Sequence, residues 1–223
     1  MRKYELLKDD YIQLPDRKLY RIRALKTFGS VRKGDIGGYI ETEGNLLHQS
    51  NAWIHDNARV YGNARVYGDA IVYGNAKICD NAQVYANAWI HGNAQVYNNA
   101  RVYGNAQVYD DAEICGNAWI YGNAEIYYDA WVYDNARVYG NVEIQNGHIN
   151  HRMVVNSKFD DLKFFAFTKA RDITALKVNG EWLFNIGCQN LITKEVFLKR
   201  IKGDGGVKKH PHRQDYLDIL KLF

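Results

Sequence analysis

Between residues 51 and 145 the chain repeats every six residues, and this constrains its fold more than any other property of the sequence. Written from its first residue the unit is Asn/Asp-Ala-x-Ile/Val-Tyr-x, and sixteen copies run without an insertion from Asn51 to Gln145. The fourth place is Ile or Val in every copy, from Ile54 to Ile144. The second is Ala from Ala52 to Ala136, and Val142 in the last copy. Side chains of an extended strand alternate between its two sides, so the small residue and the branched residue two places later point the same way. That pair faces inward. The residue between them and the residue after the branched one, usually Tyr, face out. The remaining step, often Gly-Asn, makes a corner, because both residues tolerate positive φ and Asn can bond neighbouring backbone.

An aliphatic residue with a small residue two places before it, recurring every six, resembles the hexapeptide-repeat family. The resemblance implies a three-sided left-handed parallel β-helix, with the hand taken from the family, since crossover connections are otherwise nearly always right-handed. Three sides make an eighteen-residue coil, and sixteen sides make a little over five coils. At a strand spacing of about 4.8 Å the prism is roughly 25 Å tall. Residues 51–86 and 87–122 agree at 24 of 36 positions without a gap, which points to duplication of a two-coil unit.

The regions on either side of the repeat differ from it. Lys/Arg against Asp/Glu number ten against seven in residues 1–50, five against ten in 51–145 and fourteen against eight in 146–223, so a mildly acidic middle lies between basic ends. Residues 1–50 read as a capping segment, with short strands and turns in Leu19–Leu46 around Gly37-Gly38. Residues 146–223 read as a small α+β domain. Its hairpin is signalled by Asn179-Gly180 between Asp172–Val178 and Glu181–Cys188, and its two helices span Thr193–Lys202 and Pro211–Phe223. The class is therefore mainly β, with an N-terminal β cap and a C-terminal α+β domain. The leader LYRIRALKTFGSVRKGDIGGYIE, and a tail with Gly187-Cys188 before two helices, resemble hexapeptide-repeat proteins encoded by phages and prophages. That resemblance implies a viral or mobile-element origin and no particular chemistry.

Chemistry-bearing residues are sparse. Hexapeptide-repeat acyltransferases place a general-base His on a protruding loop or at a subunit junction. Here no loop interrupts the repeat, and the candidates His55 and His91 are built into a regular face. Two coils, about 9.6 Å, separate them, so they do not share one zinc ion within a chain, and the same spacing keeps Cys79 and Cys115 from a disulfide. No catalytic residue, cofactor or metal is assigned. No apolar stretch is long enough to span a bilayer and the start lacks a secretion signal, which makes the host bacterial cytoplasm the expected location.

Outward columns carry more information. One face bears His55, Tyr73, His91, Tyr109 and Tyr127; a second bears Tyr61, Cys79, Tyr97, Cys115 and Tyr133; a third bears Tyr67, Tyr85, Tyr103, Tyr121 and Tyr139. Beside the third run Arg65, Gln83, Arg101, Trp119 and Arg137, with no acid. Aromatic columns stabilise stacked strands by neighbour contacts, a sufficient structural role. Tyr, Trp and Arg side by side on a rigid face are also the residue types of binding hot spots. Arg65, Tyr67, Tyr85, Arg101, Tyr103, Trp119, Tyr121, Arg137 and Tyr139 are therefore the candidate binding residues. Trp53 and Trp89, with Ile71 between them, form a second candidate apolar strip suited to self-association or a partner. The expected function is a non-enzymatic phage or prophage binding protein whose partner is a host or phage protein, such as a host defence factor or enzyme. The alternatives are a hexapeptide-repeat acyltransferase and a sequestering protein for a nucleotide-like ligand. Nucleic acid is not expected to bind through the acidic repeat, whereas the basic loop Lys202–Arg213 could meet an anion.

Overall fold

The computed structural model describes residues 2–145, 147–149, 154–155, 161–165, 173–178, 180–186, 189–203, 206–210 and 213–222. Each six-residue unit contributes one two-residue strand, from Trp53–Ile54 to Glu143–Ile144, and every strand pairs in parallel with those one coil away. Arg101 lies between Gln83 and Trp119 on one face, and Trp89 lies between Ile71 and Gln107 on another. The strands sort into three sheets, the first and third with six strands each, giving a β-solenoid of about six turns. The inward assignment holds throughout. The sixteen Ile/Val residues from Ile54 to Ile144 are fully buried, and so, within 1%, are the small residues two places before them. A buried aliphatic side chain contributes about 1.5–3 kcal/mol, so the core is a column of many small increments.

The corners repeat as strictly as the core. Every sixth-place residue from Asp56 to Gly140 has positive φ. Gly116 shows why glycine is favoured there: a Cβ would lie 2.6 Å from the backbone nitrogen of Asp134, one coil on. Beside these residues Asn side chains donate to one another along the axis. Asn63, Asn81, Asn99, Asn117 and Asn135 form one such ladder, with amide-to-carbonyl distances of 3.1–3.2 Å.

The solenoid is longer than its regular repeat. Beyond Gln145, His148–Ile149 pairs with Trp131–Val132 and Val154–Val155 pairs with Arg137–Val138. At the other end Tyr39 and Ile40 pair with Arg59 and Val60, and Leu46 bridges Val66. The boundaries expected at residues 50 and 145 therefore cut through a continuous ladder. Ile144, Ile149 and Val155 are spaced by five and then six residues, and this one-residue slip ends the sequence periodicity while the pairing goes on.

At the N-terminus a long strand, Tyr4–Gln13, pairs antiparallel with Lys18–Ala24, which pairs with Ile36–Ile40 on the solenoid edge. Gly37 permits the close approach, since a Cβ there would lie 2.6 Å from the Ile54 carbonyl oxygen and 2.8 Å from the Trp53 ring. This cap overturns one expectation: Trp53 is only 1% exposed and belongs to no surface strip. Phe28 and Tyr4 pack edge-on against its ring, with centroids 5.5 Å and 6.2 Å away. The cap also closes open backbone. The buried Lys3 ammonium donates to the Ser50 and Ala52 carbonyls at 2.8 and 2.7 Å, and Tyr4 donates to the Leu46 carbonyl at 2.8 Å.

The C-terminal region holds a four-stranded antiparallel sheet, Asp161–Phe165, Ile173–Val178, Glu181–Ile186 and Gln189–Thr193, in sequential order. Its helices are Lys194–Lys202, Gly206–Lys209 and Arg213–Leu220. The expected hairpin is its central pair, so a hairpin with two helices understated this domain by two strands and a short helix. Ile173, Phe184, Phe197, Ile201, Tyr216 and Leu220 form its core. Asn179, Gly187, Cys188 and Pro211, singled out in the sequence, lie outside the described residues.

Candidate functional site

The third face is the sheet built from Arg65–Val66, Gln83–Val84, Arg101–Val102, Trp119–Ile120, Arg137–Val138 and Val154–Val155. On each regular strand the inward Val or Ile anchors the backbone, and the residues before and after it project outward together. Parallel pairing in register then places equivalent side chains one above another. Tyr67, Tyr85, Tyr103, Tyr121 and Tyr139 stack in that order with centroids 4.9, 4.9, 5.0 and 4.8 Å apart and planes within 9° of parallel. The spacing matches the separation of adjacent strands, so the stack follows from the register.

Next to this column the guanidinium groups of Arg101 and Arg137 each sit 5.1 Å from the Trp119 ring, one from the coil below and one from the coil above. Tyr103 meets the same indole edge-on, with centroids 6.5 Å apart. Arg65, further down the column, is exposed. Among the described residues no carboxylate pairs with Arg65, Arg101 or Arg137. Partial burial and the neighbouring phenols raise the Tyr103 pKa, against the opposing pull of Arg101 and Arg137. Burial and Tyr85 likewise raise that of Tyr67. These phenols remain O–H donors at neutral pH. Tyr67 already donates to the Gln83 side-chain oxygen at 3.3 Å.

Nine of the eleven candidate binding residues thus share one surface. Trp89 lies elsewhere, 44% exposed on the first face, and Trp53 is the buried residue described above. His91 is a rung of the first-face column, stacked between Tyr73 at 4.6 Å and Tyr109 at 4.8 Å. Burial lowers the pKa of both His91 and His55. In the second column Cys79 and Cys115 are free thiols, and the Trp131 indole N–H donates to the Cys115 Sγ at 3.3 Å. The segment read as the basic loop Lys202–Arg213 contains the short helix Gly206–Lys209, and Arg213 at the start of the last helix donates to the Ile201 and Gly203 carbonyls at 3.1 and 2.6 Å, closing the end of helix Lys194–Lys202.

Two surface features did not emerge from the sequence reading. A shallow groove of about 610 Å³ runs along the corner between the second and third faces, past Asn63, Asp80, Asn81, Asn98 and Asn99, with Arg17 of the cap beside it. Its sequence signal is Asn at the first place of every third repeat. Tyr128, 53% exposed, holds φ of 52° at a corner where Gly or Asp stands elsewhere, and an aromatic residue in a glycine column is the signal for it.

Comparison with known proteins bears on the repeat. The YdcK beta solenoid repeat family matches residues 58–74, 64–77, 76–92 and 94–110, all within the regular prism. No curated protein matches the chain. Among the described residues no helix is long and apolar enough to cross a membrane. The family match and the strand topology together make this chain a repeat β-solenoid protein.

Proposed function

We propose that the chain is a non-enzymatic binding protein of phage or prophage origin that presents its third face to a macromolecular partner in the bacterial cytoplasm. The observation that carries this reading is the Arg101–Trp119–Arg137 sandwich set beside an uninterrupted column of five tyrosines. Tyr, Trp and Arg dominate binding hot spots because they offer large contact area with a polar handle. On this surface they are ordered before any partner arrives, which reduces the entropy lost on association. The phage assignment rests on the leader Leu19–Glu41 and its resemblance to phage-encoded proteins.

The test is affinity capture from bacterial lysate with the intact protein, with the Arg101→Ala/Tyr103→Ala pair and with Tyr109→Ala, read by mass spectrometry. A protein retained by the intact chain and by Tyr109→Ala, but lost with the pair, is the expected result. Identical captures by all three overturn the assignment to this face.

A further inference from the structure

The third face has unusual chemistry for an aromatic surface because its π-faces are already used. Each interior tyrosine ring is covered above and below by its neighbours, and the Trp119 indole carries an arginine from each adjacent coil. Phenol O–H groups and guanidinium N–H edges are what remain to meet a partner. Single-stranded nucleic acid needs open aromatic faces on which bases can stack. A duplex carries one charge per about 1.7 Å of axis, far denser than three arginines at a two-coil spacing of about 9.6 Å. The prism around them is acidic, with ten carboxylates against five basic side chains in residues 51–145. A second copy docked face to face would set arginine against arginine.

From this arrangement we infer that the occupant of the third face is an extended acidic protein segment, running along the prism axis, whose Asp and Glu carboxylates are taken by Arg65, Arg101 and Arg137. This rests on the reading of that face as a binding surface and adds the chemistry of the partner. Arg101 and Arg137 each lie over the Trp119 ring, and a planar guanidinium held against an aromatic face keeps an N–H edge available in the fork geometry that matches a carboxylate bidentately. The column from Arg65 to Arg137 spans four coils, about 19 Å, or roughly six residues of extended chain at about 3.3 Å each. The hydroxyls of Tyr85, Tyr103 and Tyr121 alongside supply further donors to carbonyl and carboxylate oxygens. A narrow peptide satisfies this strip without lying against the acidic corners at Asp80 and Asp134.

The experiment titrates the full-length protein with a short labelled oligoglutamate peptide, followed by fluorescence anisotropy at low and moderate salt. Oligolysine and oligothymidylate serve as comparison probes. Binding of oligoglutamate is expected to weaken at least about tenfold in Arg101→Gln/Arg137→Gln, and to weaken also in Arg101→Lys/Arg137→Lys, which keeps charge but loses the fork. The second-face pair Arg59→Gln/Lys77→Gln should leave it unchanged. Equal binding to the intact chain and the Gln pair overturns the inference, as does tighter binding of oligothymidylate through the same arginines. If oligoglutamate does not bind while a captured partner is still lost on changing Arg101 and Tyr103, the acidic class is wrong and the binding face stands. If that variant also retains every partner, both fall.

Discussion

The third face stacks Tyr67 through Tyr139 at 4.8–5.0 Å, and the first stacks Tyr73, His91, Tyr109 and Tyr127 at 4.6–4.8 Å. Two columns of nearly identical geometry on one prism show that stacking alone is a product of parallel register, and it cannot distinguish a binding surface from a scaffold. Their companions differ. Beside the third-face ladder lie Arg65, Gln83, Arg101, Trp119 and Arg137; beside the first lie Ile71, Trp89, Gln107, Glu125 and Glu143. Glu125 accepts a hydrogen bond from Tyr109 at 3.4 Å, so a carboxylate occupies the first face where the third offers cations. The companion column, rather than the ladder, is where function separates from architecture.

The largest expected effect is one the two faces share. Val102 lies beneath the third face and Val108 beneath the first, and both are fully buried. Val102→Asp and Val108→Asp each bury an unpaired charge, so neither variant should form a compact fold. Circular dichroism and size-exclusion chromatography read this directly. A folded Val108→Asp beside an unfolded Val102→Asp would show that the faces do not depend on one core.

Next in size is the separation of the faces by binding. Against a partner confirmed by capture, changing Arg101 and Tyr103 to Ala should weaken affinity by at least about 2 kcal/mol, the hot-spot scale, with little loss of stability. Tyr109→Ala removes the same ring from the first face and should have little effect on that affinity. Isothermal titration of both variants decides. Small and equal losses would leave both ladders as scaffold and move the binding site to Trp89 or the C-terminal domain.

Acid should separate the faces by stability. Burial holds the His91 pKa in the folded protein below its ordinary 6.5. The unfolded chain therefore takes up a proton that the folded one resists. The stability associated with a neutral His91 is full above 6.5 and is lost as pH falls from there through the depressed folded value. His91→Phe keeps a ring in the column and removes this titration, so its thermal midpoint should fall less than that of the intact protein as the pH drops below 6.5. Parallel decline of the two would exclude His91 as the acid-sensitive rung.

These contrasts also mark what the sequence could reveal. The alternation of Ala and Ile/Val dictates the inward column because burial in a strand depends on local parity, and sorting outward residues by threes yields the three ladders because the coil length is constant. Trp53 escaped that logic. Its place in the repeat is outward, and it is buried by Tyr4 and Phe28 from a segment that returns over the solenoid end, a non-local contact absent from the repeat. Gly37-Gly38 was visible as a turn signal, but its physical role is the close approach to Trp53 and Ile54. In the candidate site the tyrosine and arginine columns were legible, whereas the Arg–Trp–Arg sandwich required knowing that three successive coils bring those side chains over one ring. The strand Gln189–Thr193 lacks apolar alternation, and its pairing partner identifies it. Asp161–Phe165 alternates from Asp161 to Phe164 but is too short a run to stand out without its partner.

The smallest change in stability and the sharpest test of the comparison come from copying one companion column onto the other face. Ile71, Trp89 and Gln107 stand in the register of Arg101, Trp119 and Arg137, with a central indole flanked by one residue on each adjacent coil. Ile71→Arg/Gln107→Arg should therefore build a second arginine sandwich, around Trp89 and beside the rings of Tyr73, His91 and Tyr109. Glu125→Gln belongs in the same variant, because Glu125 lies next to position 107 and would neutralise the new cation, whereas Gln still offers Tyr109 an acceptor. All three substitutions are on outward positions, so stability should change by under about 0.5 kcal/mol, with new cation–π contacts offsetting the lost contacts of Ile71. With Arg101 and Arg137 also changed to Gln, any oligoglutamate binding that returns must come from the first face. Its return, measured by anisotropy, would show that the companion residues carry recognition on either ladder. A folded variant that remains unable to bind would mean that the third face contributes something besides its arginines and indole.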